Sequence, residues 1–365
     1  MNASFSGSYR AEDVQFLLKP LPLWDFTQVS EKELLIQTGQ RHYSEMLSPE
    51  VLPTARYLQI FQEAYLSNRE KMAMDCLTLA AIIARQRSEN ICVVSLARAG
   101  TPIGVIVKRL LETHFDKNLA HFSISIIRDR GIDHVALQHI LALGHAPESI
   151  VFVDGWTGKG VISQELASAV TAFNQQHDCQ IDTGLYVLAD LAGTAAYAAS
   201  CEDYLIPSSI LNATISGLVS RSILNAQIGA SDFHGCVYYE QFLNQDQSQS
   251  FADGIFSLAS SLFTNGACLR GGAIDATEAA EISQHCLRQM MQRYGVTDIN
   301  LIKPGIGEAT RVLLRRVPRL LLLRDPLAID VQHLRILAEE KNVAIEVDAD
   351  LPYQAVSFIR SANDG

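Results

Sequence analysis

The residues with the clearest chemical potential follow an apolar run, residues 150–153, that is long enough for one buried strand. Asp154 comes directly after this run, a short turn rich in Gly and Thr is predicted over 155–160, and helical spacing follows. Backbone N–H groups that converge in such a turn, backed by the positive end of a helix dipole, bind phosphate. Asp154 would then be placed to bind sugar hydroxyls or a hydrated metal ion beside that phosphate. An ordinary strand-to-helix turn explains the same pattern equally well.

Two further loops carry groups suited to phosphate. Arg98 lies among small residues that let the backbone approach a ligand, and its guanidinium is a forked donor. Arg128 and Arg130 flank Asp129, and arginines interleaved with acids fit a diphosphate and its magnesium ion. Each loop also has a plainer interpretation: Arg98 as a capping or salt-bridged residue, and 128–130 as a solvated charge cluster. Because all three loops follow predicted strands, together they favour a phosphate-rich ligand.

The elements that must position these loops alternate between strand and helix. After a helix predicted over 57–87, the pattern predicts strands at 91–96, 121–127, 150–153 and 185–188, and helices at 101–113, 134–143 and 160–173. Short β-branched runs separated by amphipathic helices predict an α/β fold with a mostly parallel sheet and helices on both faces. In such sheets ligands bind at the carboxyl ends of the strands, where the three loops lie.

A second, smaller α/β unit is predicted after a polar connector at 244–250 and a helix at 277–294. Its predicted elements are strands at 300–302, 320–323 and 343–347, and helices at 307–316, 333–340 and 353–359. The predicted organisation is therefore an N-terminal arm (1–55), a main domain (56–255), a helical connector (256–295) and a C-terminal domain (296–365). Arg311, Arg315 and Arg316 make the last domain locally basic, so it can attract phosphates, although charges on helices are usually just solvated.

Composition excludes several classes of protein. The 365-residue chain is 48% hydrophobic and carries a net charge of −11, so it is not a general binder of polyanions and any phosphate site must be a local basic island. Its seven cysteines are scattered and form no CxxC pair, which predicts a reduced, cytoplasmic protein without structural zinc. We expect no signal peptide and no membrane span.

Several long motifs resemble one bacterial family. They are 95–102 (SLARAGTP), 125–133 (SIIRDRGID), 152–160 (FVDGWTGKG), 42–45 (HYSE), 203–207 (DYLIP), 216–221 (SGLVSR) and 232–235 (DFHG). Together they resemble the phosphoribosyltransferase-like family associated with tellurite-resistance (Ter) stress operons, whose members are also labelled cysteine protease StiP. The end of the chain resembles a Pelota-type RNA-binding domain, which implies that RNA or a nucleotide would bind there, at Arg311, Arg315 and Arg316. The resemblance covers nearly the whole chain and implies a type I phosphoribosyltransferase-like fold.

The resemblance also implies a substrate and residue roles. The chain would use phosphoribosyl diphosphate with magnesium and transfer ribosyl phosphate to an unknown acceptor. Other Ter-operon enzymes would act in the same pathway, and the chain would form a homodimer. The implied catalytic residues are Asp154, which binds ribose hydroxyls and, through water, the metal, together with Arg128 and Arg130, which neutralise the leaving pyrophosphate. The implied substrate-binding residues are Arg98, Ala99, Gly100, Asp129, Thr157, Gly158, Lys159, Gly160, Arg221 and His234, with the Thr157 hydroxyl on the 5′-phosphate.

Two departures from the general transferase pattern leave alternatives open. Gly155 stands where a second acid is usual, and the loop before Thr157 is shorter, so a regulatory or altered ribosyl-phosphate activity remains an alternative. A nucleotide- or RNA-sensing module without catalysis is another. A cysteine hydrolase is a third, because His234 and Cys236 lie two residues apart, although a structural or substrate-contacting His234 is favoured over it. Cys201 has no local base and is expected to be buried.

Overall fold

The computed structural model describes residues 5–22, 26–87, 90–269, 276–316 and 318–360. The strands are β1 (Gln15–Leu17), β2 (Lys19–Pro20), β3 (Ile91–Ala97), β4 (Leu119–Ile127), β5 (Gly131–Ile132), β6 (Ile150–Thr157), β7 (Leu185–Asp190), β8 (Tyr197–Ser200), β9 (Gly235–Cys236), β10 (Ile302–Pro304), β11 (Pro318–Leu323), β12 (Ala344–Val347) and β13 (Ala355–Ile359). The helices are α1 (Val29–Gln37), α2 (Ala55–Gln86), α3 (Thr101–His114), α4 (His134–Ala142), α5 (Val161–His177), α6 (Ser248–Thr264), α7 (Ala276–Tyr294), α8 (Ile306–Arg315) and α9 (Gln332–Glu340).

The main sheet has the order β1-β4-β3-β6-β7-β8, and every neighbouring pair in that order is parallel. Residues 91–96 of β3 are all buried, but successive residues pack on opposite faces of the sheet. Ile91 and Val93 pack into one apolar cluster with α2, α3 and α6, whereas Cys92 and Val94 pack into another with α4 and α5. This alternation with both faces covered confirms the predicted α/β class and the helices on both faces of the sheet.

The N-terminal segment contributes to this sheet, which sequence reasoning did not anticipate. Strand β1 pairs with β4, with Gln15 opposite Phe122, and so forms one edge. Helix α6 was also missed; it packs against α2 and α3. We refer to residues 5–264 as the body and to residues 276–360 as the C-terminal unit. The predicted domain boundaries themselves stay a prediction.

The C-terminal unit has its own sheet in the order β10-β13-β11-β12, with only β11 and β12 parallel. Leu320 and Leu322 face α7, and Leu321 and Leu323 face α8 and α9. The predicted helix over 353–359 is wrong, because this segment forms the inner strand β13. All five residues of β13 are buried, and a short apolar run buried on both faces has no period that separates strand from helix.

The C-terminal unit is packed closely on the body. Asp203, which follows β8, accepts hydrogen bonds from the Ile306 N–H (2.9 Å) and the Gln354 N–H (2.8 Å). Gly305 has φ of +90°, and a Cβ atom there would lie 2.7 Å from Leu191 Cδ1, so glycine is required at this contact. The result is that the first turn of α8 lies against the carboxyl ends of β6 and β7.

Candidate functional site

The loop after Asp154 is shorter than its sequence indicates. Strand β6 does not end before the acid but continues to Thr157, which is paired with Asp190 of β7. The predicted strand end is therefore wrong, because cross-strand pairing extends the strand through Gly155. The turn itself is limited to residues 158–160. Gly160 has φ of +77°, and a Cβ atom there would lie 2.4 Å from Thr194 Cγ2, so the turn into α5 requires a glycine.

Asp190 holds this turn together. Its carboxylate accepts the Thr157 hydroxyl and the backbone N–H groups of Ala192, Thr194 and Ala195. The Thr157 hydroxyl therefore points into the protein, and its predicted contact with a phosphate is not what the structure shows. The backbone N–H groups of 158–160 and of the first turn of α5 have no helical partner, so they are the groups of this loop that could bind an anion.

One cavity of about 1320 Å³ connects most of the predicted site. Eleven of the predicted residues line it: Arg98, Ala99, Arg128, Asp154, Thr157, Gly158, Lys159, Gly160, Arg221, Arg311 and Arg316. Gly100, Asp129, Arg130 and His234 do not line it. The side chain of Arg315 lies outside the described part of the chain. The three loops thus meet at the carboxyl ends of the strands, as expected for a parallel sheet.

The residues outside the cavity have other roles. Gly100 packs where a Cβ atom would lie 2.5 Å from the Val153 carbonyl oxygen. Arg130 pairs with Glu45 (3.4 Å) at the surface, and Asp129 pairs with Arg128 (3.1 Å). Arg130 was predicted to neutralise a leaving group and Asp129 to bind substrate. Their positions do not support these roles, because neither side chain lines the cavity.

Arg98 lies in the cavity wall but is fully engaged. Its guanidinium pairs with Glu50 (2.6 Å) and donates to the Val219 carbonyl (2.8 Å) and to Asn212 Oδ1 (2.9 Å). The Ala97–Arg98 peptide is cis. The salt-bridged interpretation of Arg98 is the one that the structure shows. Glu50, from the N-terminal segment, carried no sequence signal because its partner is distant in the chain.

Tyr43 joins two of the predicted arginines. Its ring centre lies 5.7 Å from the Arg128 guanidinium and 5.4 Å from that of Arg221. Its hydroxyl accepts a hydrogen bond from the backbone N–H of Arg128 (2.8 Å). Arg221 also donates to the carbonyls of Tyr43 (2.7 Å) and Met46. Burial lowers the pKa of Arg221 to about 10. Arg221 therefore holds the N-terminal segment over the cavity. Its guanidinium, which was predicted to bind an acidic substrate, is engaged in these contacts.

Asp154 is the acid at the base of the cavity. Burial, with a smaller contribution from the negative charge of Glu308, raises its pKa to about 6, although the Gly155 N–H donor (2.8 Å) and Arg311 act in the opposite direction. Lys159 lies close by, and its ammonium donates to the Ile299 carbonyl (2.7 Å). Burial and then the charge of Lys303 lower the pKa of Lys159 to about 7. Anionic ligands would raise this pKa and be bound by the same group.

The opposite wall comes from the C-terminal unit and was missed by sequence reasoning. Arg311 lies over the Trp156 ring, 4.4 Å from its centre, and pairs with Glu308 at 3.0 Å. Lys303 faces the same cavity from β10. Arg311 was predicted to bind RNA because it lies on a basic helix; in the structure it lies over Trp156 and lines the same cavity as the 158–160 turn. Nothing local in the sequence joins these residues to Asp154.

The histidine and cysteine of the hydrolase alternative are not paired. His234 Nδ1 is hydrogen-bonded to Ser125 Oγ (2.8 Å), and the backbone N–H of His234 donates to Asp133 Oδ2 (2.6 Å). The Cys236 thiol is completely buried, and burial raises its pKa, which keeps it protonated and unreactive. Cys201 is exposed, contrary to the prediction that it is buried.

Comparisons with known proteins identify both parts of the chain. Residues 7–256 match the family model described as tellurite-like stress resistance cysteine protease StiP, and residues 281–361 match the Pelota RNA-binding domain. The protein named cysteine protease StiP from Acinetobacter baylyi is 40% identical over a 377-residue alignment that covers 100% of this chain and 97% of the relative. In the described residues no helix is long and apolar enough to cross a membrane.

Solved structures show only a weak likeness. A hypoxanthine-guanine phosphoribosyltransferase from Bacillus anthracis is 14% identical, with 37% of this chain and 80% of that chain covered and a TM-score of 0.26. A hypoxanthine phosphoribosyltransferase from Staphylococcus aureus is 12% identical, with 38% and 77% covered and the same TM-score of 0.26. These TM-scores are too low to support an argument about function. The matches along the sequence, in contrast, show that the chain belongs to the StiP family, with a match to the Pelota RNA-binding domain over residues 281–361.

Proposed function

We propose that the cavity binds phosphoribosyl diphosphate and that the chain transfers ribosyl phosphate from it to an acceptor. The observation that carries this proposal is the convergence of Asp154, the 158–160 turn and Arg128 on one cavity at the carboxyl ends of parallel strands. A chain with a net charge of −11 has gathered cationic side chains there, which favours an anionic ligand over a neutral one.

Each part of such a ligand has a matching group. The amides of 158–160 and of the first turn of α5 suit the 5′-phosphate, because they are uncharged donors backed by a helix dipole. Asp154 suits ribose hydroxyls, since it lines the cavity and its carboxylate accepts hydrogen bonds. In the reaction the C1–oxygen bond to pyrophosphate breaks, and pyrophosphate leaves with the bonding electrons. The acceptor bonds to C1 and loses its proton. Arg128 would stabilise the departing charge.

Magnesium fits the site in a limited sense. No group of three or more His, Cys, Asp or Glu side chains comes together among the described residues, so a complete protein-made metal cage is absent from that part of the chain. Mg²⁺ commonly takes one or two carboxylates and completes its shell with water and substrate phosphates. Asp154 and Glu308 are close enough for the charge of Glu308 to raise the pKa of Asp154, and these two carboxylates would hold the ion. Bound magnesium would neutralise diphosphate charge.

The direct test is calorimetric titration with phosphoribosyl diphosphate, with and without magnesium. We expect wild type to bind in a magnesium-dependent manner and Asp154→Asn to bind at least about tenfold more weakly, because it loses a charge-assisted contact. Asp350→Asn, at an exposed acid in the C-terminal unit, is the matched control and should bind as wild type does. Binding should also weaken as the pH falls below about 6, where Asp154 takes up a proton. Absence of binding by wild type would overturn the proposal.

A second candidate is proteolysis by a cysteine nucleophile, which the names of the family and of the Acinetobacter relative favour. Such an enzyme needs an accessible thiolate beside a base. Cys201 and Cys268 are the exposed cysteines among the described residues, and Cys201 is next to Glu202 rather than a histidine. The test is cleavage of a fluorescent casein before and after alkylation. Loss of cleavage on alkylation and in Cys201→Ala would favour this candidate over the transferase.

A further inference from the structure

The C-terminal unit forms one wall of the cavity. Lys303, Glu308 and Arg311 line it from one side, and Asp154 and Lys159 line it from the other. The two walls are in close contact, because a Cβ atom on Gly158 would lie 3.5 Å from Glu308 Cγ and 3.8 Å from the Pro304 carbonyl oxygen. A ligand bound at the 158–160 turn would therefore lie within reach of the C-terminal unit.

The positive charge between these walls is only partly compensated. Glu308 is already paired with Arg311 at 3.0 Å. Lys159 contacts a backbone carbonyl rather than a carboxylate. The ammonium of Lys303 has no hydrogen-bond or ion-pair partner in the described part of the chain. Burial lowers its pKa; the negative charge of Glu308 opposes this shift, and the charges of Arg316 and Arg128 add to it. Two partly buried ammonium groups that repel each other are costly unless an anion lies between them.

We propose that Lys303 is an anion-binding residue and that the diphosphate of the ligand is held between Lys159 of the body and Lys303 of the C-terminal unit. The inference rests on the proposed function for the chemical class of the ligand. It assigns the C-terminal unit a part in substrate binding within its own chain, in which the basic face of α8 serves the cavity. The bound ligand then bridges the two units and stabilises their contact.

Inorganic pyrophosphate is the probe for this inference, since it isolates the diphosphate from the sugar. Titration calorimetry is carried out on wild type, Lys303→Ala, Lys159→Ala and the control Lys341→Ala, a lysine of the same unit that is exposed and does not line the cavity. We expect both cavity variants to bind at least about tenfold more weakly and the control to bind as wild type does. Lys303→Arg, which keeps the charge, should restore most of the affinity.

A thermal melt keeps the result interpretable. Pyrophosphate should raise the melting temperature of wild type and Lys341→Ala clearly more than that of Lys303→Ala. Without pyrophosphate, Lys303→Ala should melt no lower than wild type, because it lacks the repulsion between the two ammonium groups. Wild-type affinity in Lys303→Ala would overturn the inference. If Lys303→Ala does not fold, Lys303→Met, which keeps the stem, replaces it under the same criteria.

The outcomes separate this inference from the proposed function. Pyrophosphate binding that depends on Lys303, without any binding of phosphoribosyl diphosphate, would support the inference and overturn the proposed function. Magnesium-dependent binding of phosphoribosyl diphosphate that is lost in Asp154→Asn but unchanged in Lys303→Ala would support the proposed function and overturn this inference. Failure of wild type to bind either compound would overturn both.

Discussion

Asp203 is the residue through which the body holds the first turn of α8, and its replacement by alanine tests whether the cavity is formed by two units. The carboxylate accepts the N–H groups of Ile306 (2.9 Å) and Gln354 (2.8 Å), one at the start of α8 and the other just before β13. Alanine would leave both donors without their acceptor. An unsatisfied buried donor costs about 1–3 kcal/mol, so we expect Asp203→Ala to lower the free energy of unfolding by about 2–4 kcal/mol at pH 7.

The pH dependence supplies a second, sign-specific signature. Burial raises the pKa of Asp203 to about 6, although backbone N–H donors and Arg324 oppose the shift. Because an unfolded Asp titrates near ~3.9, the folded protein binds this proton more tightly, and wild type gains stability as the pH falls from 7 to 5. The gain from this one group is about 1.3 kcal/mol. The variant lacks it, so its deficit relative to wild type should grow by that amount at pH 5.

The assay is urea unfolding at both pH values. The chain has two tryptophans, and a Trp24→Phe background leaves Trp156, whose ring stacks on Arg311, as the reporter of the contact between the units. Asp350→Ala, which removes an exposed acid from the C-terminal unit, is the control. An Asp203→Ala protein that unfolds like this control at both pH values would refute the reasoning.

Three further predictions follow from local geometry and charge. Gly305→Ala should destabilise the fold by about 1–3 kcal/mol more than Gly295→Ala, because Gly305 combines a φ of +90° with a ψ of 153°, a conformation essentially restricted to glycine, whereas Gly295 has a φ of +63° and open space around it; urea unfolding measures the difference. Since the pKa of Lys159 is lowered to about 7, pyrophosphate binding at pH 8 should take up nearly one proton, seen as a buffer-dependent heat in calorimetry; a heat independent of buffer would contradict this. Iodoacetamide should label exposed Cys201 in the native protein and spare Cys236, and mass spectrometry showing equal labelling would contradict the burial argument.

Much of the body could be predicted because its signals are local. The apolar run at 91–96 and the helix predicted over 101–113 match β3 and α3 within one residue at each boundary. Alternating burial and the apolar faces of helices are encoded by near neighbours in the chain. The prediction failed where the deciding contact was distant: β13 at the centre of its sheet, and the extension of β6 through Thr157 by pairing with β7.

For the candidate site, the sequence by itself determined the three loops and their position after parallel strands, because the order of strand, turn and helix is set by local periodicity and by residues such as Gly160. Only the tertiary structure decided which of the loop side chains remain available. Ion pairs and hydrogen bonds with distant partners engage Arg98 with Glu50 and Thr157 with Asp190. It also decided that the second wall of the cavity comes from the C-terminal unit. A basic helix has the same local pattern whether it faces solvent, RNA or its own body, and the packing of one unit on another depends on shape and contacts that no short stretch of sequence contains.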